Sequence, residues 1–367
     1  MHLSFALYLA TAAWPLSGVV QASETCRHIN IPVSVSVPRF ELDTTINNNW
    51  DAATLTFNFT RRDAGSPTAP LPISGVTSTP VESKFTISAK LCGTGKSILI
   101  LTHGILESSL YWNPGFPGGE SYSLVSAAVA AGYSTLTYDR VGVASSSPAN
   151  SLSEAQFGVE TAILNQLVHY AKTTISASKV ALVGHSYGSY LSAATASQVA
   201  VDAVVLTGFS GTLQFFAPFL AGSNLRVARI QDPLRWGHLD SGYLTSSDVY
   251  AEAYGFFAEP FFEHRVAEWN FNVDSQPFGV GGLPSLLATE IPYGNITAPV
   301  LVLQGQYDLP SCGGNCLGLL NSTSELFSNA KVVETVDDLP AGHNINLHKS
   351  APQAFQMLLA FLGKQGL

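Results

Sequence analysis

Residues 98–101, 180–183, 203–206 and 300–303 are unbroken apolar runs separated by polar, glycine-containing stretches. Runs this short, without polar alternation, fit strands buried on both faces of a parallel sheet. Residues 133–138 and 331–336 are further strand candidates. Between them the pattern turns helical over 153–173, with Ser153 as a capping serine before Glu154, and again in the small-residue segment 189–199. Nearer the N-terminus, polar and apolar positions alternate over 31–40, 55–59 and 85–89, which predicts half-buried strands. The Pro, Ser and Thr of residues 66–80 predict a surface loop between them. From about 211 to 293 the strand and helix rhythm stops and aromatics gather, including Phe215, Phe216, Phe219, Phe256, Phe257 and Trp269. The pattern predicts an α/β fold with a mostly parallel central sheet and helices on both faces. Its parts are an N-terminal β extension (23–95), a core (96–210 and 294–367) and an inserted lid (211–293).

The candidate chemistry sits at the ends of the apolar runs. After residues 180–183 comes Gly184-His185-Ser186-Tyr187-Gly188, a G-x-S-x-G pattern between a strand and a helix. Such a turn is tight enough to need small residues beside the serine and leaves its hydroxyl exposed at a helix N-terminus. Ser186 is therefore the candidate nucleophile. A neutral serine needs a base to take its proton and an acid to orient that base. Asp308 follows the strand that ends at Gly305, and His343 follows the strand candidate 331–336 through Leu339-Pro340-Ala341-Gly342. Asp337 and Asp338 compete with Asp308, but they lie too near His343 in sequence to reach it from a separate strand end. The run 97–102 ends in His103-Gly104-Ile105, and the amides of Ile105 and Tyr187 are the expected oxyanion donors. His103 itself reads as a structural histidine.

These ordered motifs, with Tyr138-Asp139-Arg140-Val141-Gly142 among them, resemble the α/β-hydrolase superfamily from about residue 96 to the C-terminus. The resemblance implies the α/β-hydrolase fold and no metal or organic cofactor. More narrowly, the chain resembles a fungal branch with a signal peptide, an N-terminal Cys-bearing β segment and an oxyanion loop containing Ser109-Leu110-Tyr111-Trp112. Some members of that branch are encoded beside polyketide synthases, including those for polyene pyrones, where an epoxide-opening hydrolase is needed.

Composition narrows the partners. Of 367 residues, 46% are hydrophobic and 12% charged, enough for a sizeable core and unlike a disordered chain. A net charge of -9 and a pI near 5.4 disfavour nucleic acid and anionic membrane surfaces. An apolar segment over 3–16 followed by Val20-Gln21-Ala22 reads as a signal peptide (1–22) cleaved after Ala22, with an uncleaved membrane anchor as the alternative, and no later run is long enough to span a bilayer. The four cysteines then suit an oxidising compartment. The glycines of Cys312-Gly313-Gly314-Asn315-Cys316 allow that pair to close on itself, leaving Cys26 with Cys92; a metal site is disfavoured by the lack of a C-x-x-C pair. Asn58, Asn295 and Asn321 begin glycosylation sequons, consistent with the secretory pathway and a secreted protein.

The expected activity is hydrolysis of a small lipophilic ester or lactone by a Ser-His-Asp triad, with acyl transfer to an alcohol open to the same residues. The alternative enzyme reading is epoxide opening by directly attacking water, with His343 as base and Glu107 or a lid tyrosine as acid. The non-enzymatic alternative is a binding protein on the same fold. Sequence says nothing of oligomeric state.

Overall fold

The computed structural model describes residues 25–60 and 71–367. The expected signal peptide and the first part of the Pro/Ser/Thr-rich loop lie outside these residues. Thirteen described strands are numbered in chain order: β1 Cys26–Val37, β2 Phe40–Leu42, β3 Ile73–Val76, β4 Val81–Cys92, β5 Ser97–Thr102, β6 Ser134–Tyr138, β7 Lys179–His185, β8 Ala203–Thr207, β9 Arg226–Val227, β10 Tyr243–Thr245, β11 Phe278–Gly279, β12 Val300–Gly305 and β13 Val333–Leu339. The main sheet has eight strands in the order β1-β4-β6-β5-β7-β8-β12-β13. From β6 to β13 every pairing is parallel, whereas β1 and β4 add on antiparallel at one edge.

The central strands are apolar at almost every position because both faces are covered. In β5, Ile98, Leu99, Ile100 and Leu101 are all buried, and β7 and β12 are buried likewise. Helices α2 (Leu124–Ala130), α3 (Phe157–Thr173) and α4 (Tyr187–Ala196) follow in chain order, and the C-terminal helix is Ala351–Lys364. Helices α3 and α4 pack on each other and on β7, while α2 packs on β6 and on the C-terminal helix. The C-terminal helix buries Ala351, Ala354, Phe355, Leu358, Phe361 and Leu362, spacings of three and four that make one apolar face. Each large side chain there contributes about 1.5 to 3 kcal/mol by leaving water.

Several local expectations change. Residues 55–59 are not a strand but part of helix α1 (Asn49–Thr60). Asn48 caps it, its Oδ1 accepting from the amides of Trp50 at 2.8 Å and Asp51 at 3.2 Å. The buried positions Ala52, Leu55 and Thr56 follow helical spacing, and Phe57, which gave the alternation, is exposed. The 66–80 stretch contains β3, which pairs with β2 in a separate two-stranded sheet. Helix α3 begins at Phe157, not near Glu154, and Ser153 instead donates to Asn150 Oδ1 at 3.0 Å within a turn. The last sheet strand runs to Leu339 and includes Asp337 and Asp338.

Between β8 and β12 the chain makes helix α5 (Phe216–Ser223), a small β9-β10-β11 sheet and further short helices, among them 249–256 and 264–269. Residues 278–282 are all buried. A Cβ on Gly279 would lie 2.4 Å from the Ala155 Cβ, so the glycine permits a close approach to the turn before α3.

Candidate active site

Ser186 sits between β7 and α4 with φ 53° and ψ -122°, a backbone conformation that non-glycine residues rarely hold. Its amide donates to Thr207 O at 2.8 Å, which ties the turn to β8. The flanking glycines are required by space. A Cβ on Gly184 would lie 2.4 Å from Gly188 O, and one on Gly188 would lie 2.1 Å from Thr102 O. Strand, turn and helix thus pass at backbone contact distance, which presents the serine at the sheet's C-terminal edge.

His343 reaches the same point from the loop after β13. Its Nδ1 lies 2.6 Å from Asp308 Oδ2, and both side chains are buried. Asp308 follows β12 and caps the turn after it, its Oδ1 accepting from Ser311 N at 2.7 Å. Gln304 also donates to Asp308 Oδ2. With Nδ1–H donated to the carboxylate, His343 Nε2 is left as an acceptor, and that buried atom makes no hydrogen bond. Ser186 and His343 line one pocket. Asp337, by contrast, accepts from Gly318 N at 2.8 Å on the edge strand β13. The His343 ring stacks on Phe256 with centroids 5.6 Å apart and tilts against His185 at 4.8 Å.

Ile105 and Tyr187 both line this pocket with Ser186. The strand that leads to Ile105 ends in His103, whose Nδ1 donates to Gly104 O at 2.9 Å and whose Nε2 accepts from Arg140 N at 3.0 Å. Burial, then the nearby Arg140 charge, hold His103 well below the ordinary imidazole range, so it is a neutral, two-sided tie. Glu107 is buried and does not line the pocket; its Oε2 accepts from Gly104 N at 2.6 Å and its Oε1 lies 3.4 Å from His185 Nε2. Tyr111 of the Ser109–Trp112 turn stacks on His185, the residue before Ser186, with centroids 4.5 Å apart.

Pocket walls also come from residues that the sequence did not single out: Tyr190, Leu213, Leu286, Pro310 and Ser311, with Phe216 from the aromatic group. Position could have flagged two of them, since Tyr190 lies one turn past Ser186 on α4 and Pro310 follows Asp308. The pocket is narrow, with a volume of about 10 Å³, room for one water. Most insertion aromatics do not reach it. Phe219, Trp236 and Tyr243 are buried away from it, Phe256 stacks on the His343 ring without lining it, and Tyr250 and Tyr254 face solvent.

Two disulfides are formed, Cys26 to Cys92 and Cys312 to Cys316. The second closes the turn that follows Asp308. Asn58, Asn295 and Asn321 are all exposed. Among the described residues no helix is long and apolar enough to cross a membrane, and no three His, Cys, Asp or Glu side chains group as metal ligands.

A profile described as Alpha/beta hydrolase family matches residues 99–355. The chain belongs to this family. Among solved structures, it is similar to a bromoperoxidase from Bacillus anthracis at 22% identity and a TM-score of 0.56, covering 77% of this chain and 96% of that one. It is also similar to a thermophilic esterase from Thermogutta terrifontis at 15% identity and a TM-score of 0.54, covering 77% and 95%. An esterase from Exiguobacterium antarcticum matches at 15% identity and a TM-score of 0.53, covering 76% and 96%. At these identities the likeness is one of fold. No curated protein matches the chain.

Proposed function

We propose that this α/β-hydrolase is a serine hydrolase acting by acyl transfer on a small lipophilic ester or lactone. The observation that carries the reading is the contact of 2.6 Å between His343 Nδ1 and Asp308 Oδ2, which leaves an unbonded Nε2 in the pocket of Ser186. In this reading Ser186 attacks the carbonyl carbon, His343 takes its proton and returns it to the leaving alkoxide, and Asp308 holds the imidazole in the required tautomer. The amides of Ile105 and Tyr187 receive the oxyanion, each contributing about 2.7 to 4 kcal/mol to lowering the barrier. Water then repeats the sequence on the acyl-enzyme; an alcohol in its place gives transesterification.

The insertion between β8 and β12 acts as the lid. Leu213, Phe216 and Leu286 make the apolar wall, and an ester larger than the present pocket displaces the α5 edge to enter. Epoxide opening is less well supported, because it needs an acid facing the pocket. Glu107 does not line the pocket, and the tyrosines of the insertion are hydrogen-bonded to Ala149 O (Tyr243), packed with Phe209 and Phe327 (Tyr293) or exposed (Tyr250, Tyr254). The two disulfides and three exposed sequon asparagines support a mature chain in the secretory pathway.

A fluorophosphonate probe tests the mechanism. It labels the wild-type chain at Ser186, and Ser186→Ala abolishes both labelling and hydrolysis of p-nitrophenyl butyrate. Undiminished hydrolysis in Ser186→Ala, or epoxide turnover surviving it, overturns the acyl-enzyme.

A further inference from the structure

Beneath the pocket lies a buried ion pair that the triad chemistry does not use. Arg140 Nη1 meets Glu160 Oε2 at 2.6 Å, and both residues are almost fully buried. Burial acts to lower the Arg140 pKa, but the Glu160 carboxylate beside it outweighs this and holds the guanidinium above its ordinary value, so it stays charged.

Each end of this pair touches one half of the oxyanion site. Arg140 Nη2 donates to Gly104 O at 3.2 Å, an oxygen that also accepts from His103 Nδ1 at 2.9 Å, and the Arg140 amide in turn holds that imidazole through Nε2. That oxygen belongs to the same peptide unit as the Ile105 amide. A trans peptide points its C=O and N–H in opposite directions, so holding the oxygen from beneath turns the Ile105 N–H towards the pocket that Ile105 and Ser186 share. At the other end, Glu160 Oε1 accepts from the Tyr187 hydroxyl at 3.1 Å, and the Arg140 guanidinium lies 4.7 Å from the Tyr187 ring centroid. Tyr187 carries the second donor amide. A cation on the carbonyl oxygen also polarises the 104–105 peptide, which makes its N–H a stronger donor.

We propose that Arg140, braced by Glu160, is a positioning residue for the oxyanion site, fixing the Gly104–Ile105 peptide directly and the Tyr187 amide through the tyrosine side chain. The inference rests on the serine acyl-transfer reading. It adds that one ion pair outside the pocket reaches both donors, alongside the His103 hydrogen bond to Gly104 O, so their geometry is shared and is not a property of the nucleophile turn alone.

The test compares p-nitrophenyl butyrate with its thionoester, whose C=S sulfur accepts hydrogen bonds weakly and so gains little from oxyanion donors. Arg140→Lys keeps the charge but not the planar fork. The double variant Arg140→Met/Glu160→Leu removes both charges, so no buried ion is left unpaired, and it serves should Arg140→Lys fail to fold. Full loss of one donor costs about 100- to 1000-fold in kcat, and mispositioning costs less. The expected result in either folded variant is a fall in ester kcat of about 10- to 100-fold, with KM little changed and the preference for ester over thionoester reduced by a similar factor. Tyr187→Phe, which keeps the ion pair, gives a smaller change in the same direction. An unchanged ester-to-thionoester ratio in a folded variant overturns the positioning role, even if both rates fall together. The wild-type reaction separates the two levels. If wild-type ester turnover is not lost in Ser186→Ala, the serine reading itself fails and takes this inference with it; if it is lost while the Arg140 variants keep the wild-type ratio, only the inference fails.

Discussion

Carboxylates are buried both in the sheet side of the molecule and in the insertion, and they are held by different means. On the sheet side Glu160 faces Arg140 and Asp308 faces His343, each at 2.6 Å. In the insertion, Glu252 accepts from Ser246 at 3.1 Å, Ser275 at 2.8 Å and Asn270 at 2.7 Å. Asp274 accepts from the amide and hydroxyl of Ser108, and its Oδ2 has no hydrogen bond. Burial first, then donors too weak to offset it, push Glu252 up to about 7. Burial and the nearby Glu107 carboxylate push Asp274 well above the usual carboxylate range. Arg235 feels Glu252, but its Nη2 donates to Ser275 O at 3.0 Å. Burial raises Glu160 as well, but the Arg140 charge and its hydrogen bond act against that rise, whereas the donors that touch Glu252 and Asp274 are all neutral.

The largest effect expected from breaking this comparison is on the sheet side. Asp308→Asn removes the acceptor that sets the His343 tautomer, and kcat for ester hydrolysis falls by about 10⁴-fold. A loss below tenfold in steady-state kinetics would mean that Asp308 does not orient the base. Next comes Glu160→Leu, which leaves Arg140 buried without its counter-charge and destabilises the fold by about 3 to 5 kcal/mol in denaturant unfolding. The double variant with Arg140→Met recovers most of that loss if the pair, and not packing, is responsible.

The smallest effect has the opposite sign and belongs to the insertion. Because the folded-state pKa of Glu252 is raised from 4.5 to about 7, the folded chain holds this proton more tightly than the unfolded chain. Stability therefore falls as pH rises from about 4.5 to 7 and stays lower above that. Glu252→Gln removes this loss. It is expected to be more stable than wild type at pH 8 by up to roughly 3 kcal/mol, a gain that vanishes near pH 4. Thermal melts of both proteins across that range measure it, and equal pH dependence would erase the contrast between the two regions.

The same division governs what could be read from the chain. Strands β5, β7, β8 and β12 were legible because burial on both faces writes an unbroken apolar run, and the candidate site residues stand at the ends of such runs. Cys312 and Cys316 were legible as a pair because only a short glycine-filled turn separates them. Helix α1 was misread because Leu55, Phe57 and Phe59 alternate, although Phe57 is exposed and the buried set follows helical spacing. Periodicity cannot show which apolar residues are buried. Glu107, Glu160, Glu252 and Asp274 were illegible for a related reason: a polar residue in a loop or helix looks the same whether it meets water or a buried partner. Their partners come from distant parts of the chain, such as Ser108 for Asp274 and Arg140 for Glu160. The pocket wall was misjudged because the insertion's aromatics mostly fill its own interior.

The bridge from Cys26 to Cys92 spans 66 residues of sequence, and β1 and β4 pair in unbroken register from that bridge to Val37 and Val81. A protease that cuts the chain once between the two cysteines therefore releases nothing. The first fragment stays tethered covalently and zipped to the sheet edge, and the break shows on a gel only after reduction. Such a nick leaves a two-chain protein in which β5 to β13 are all on the longer piece.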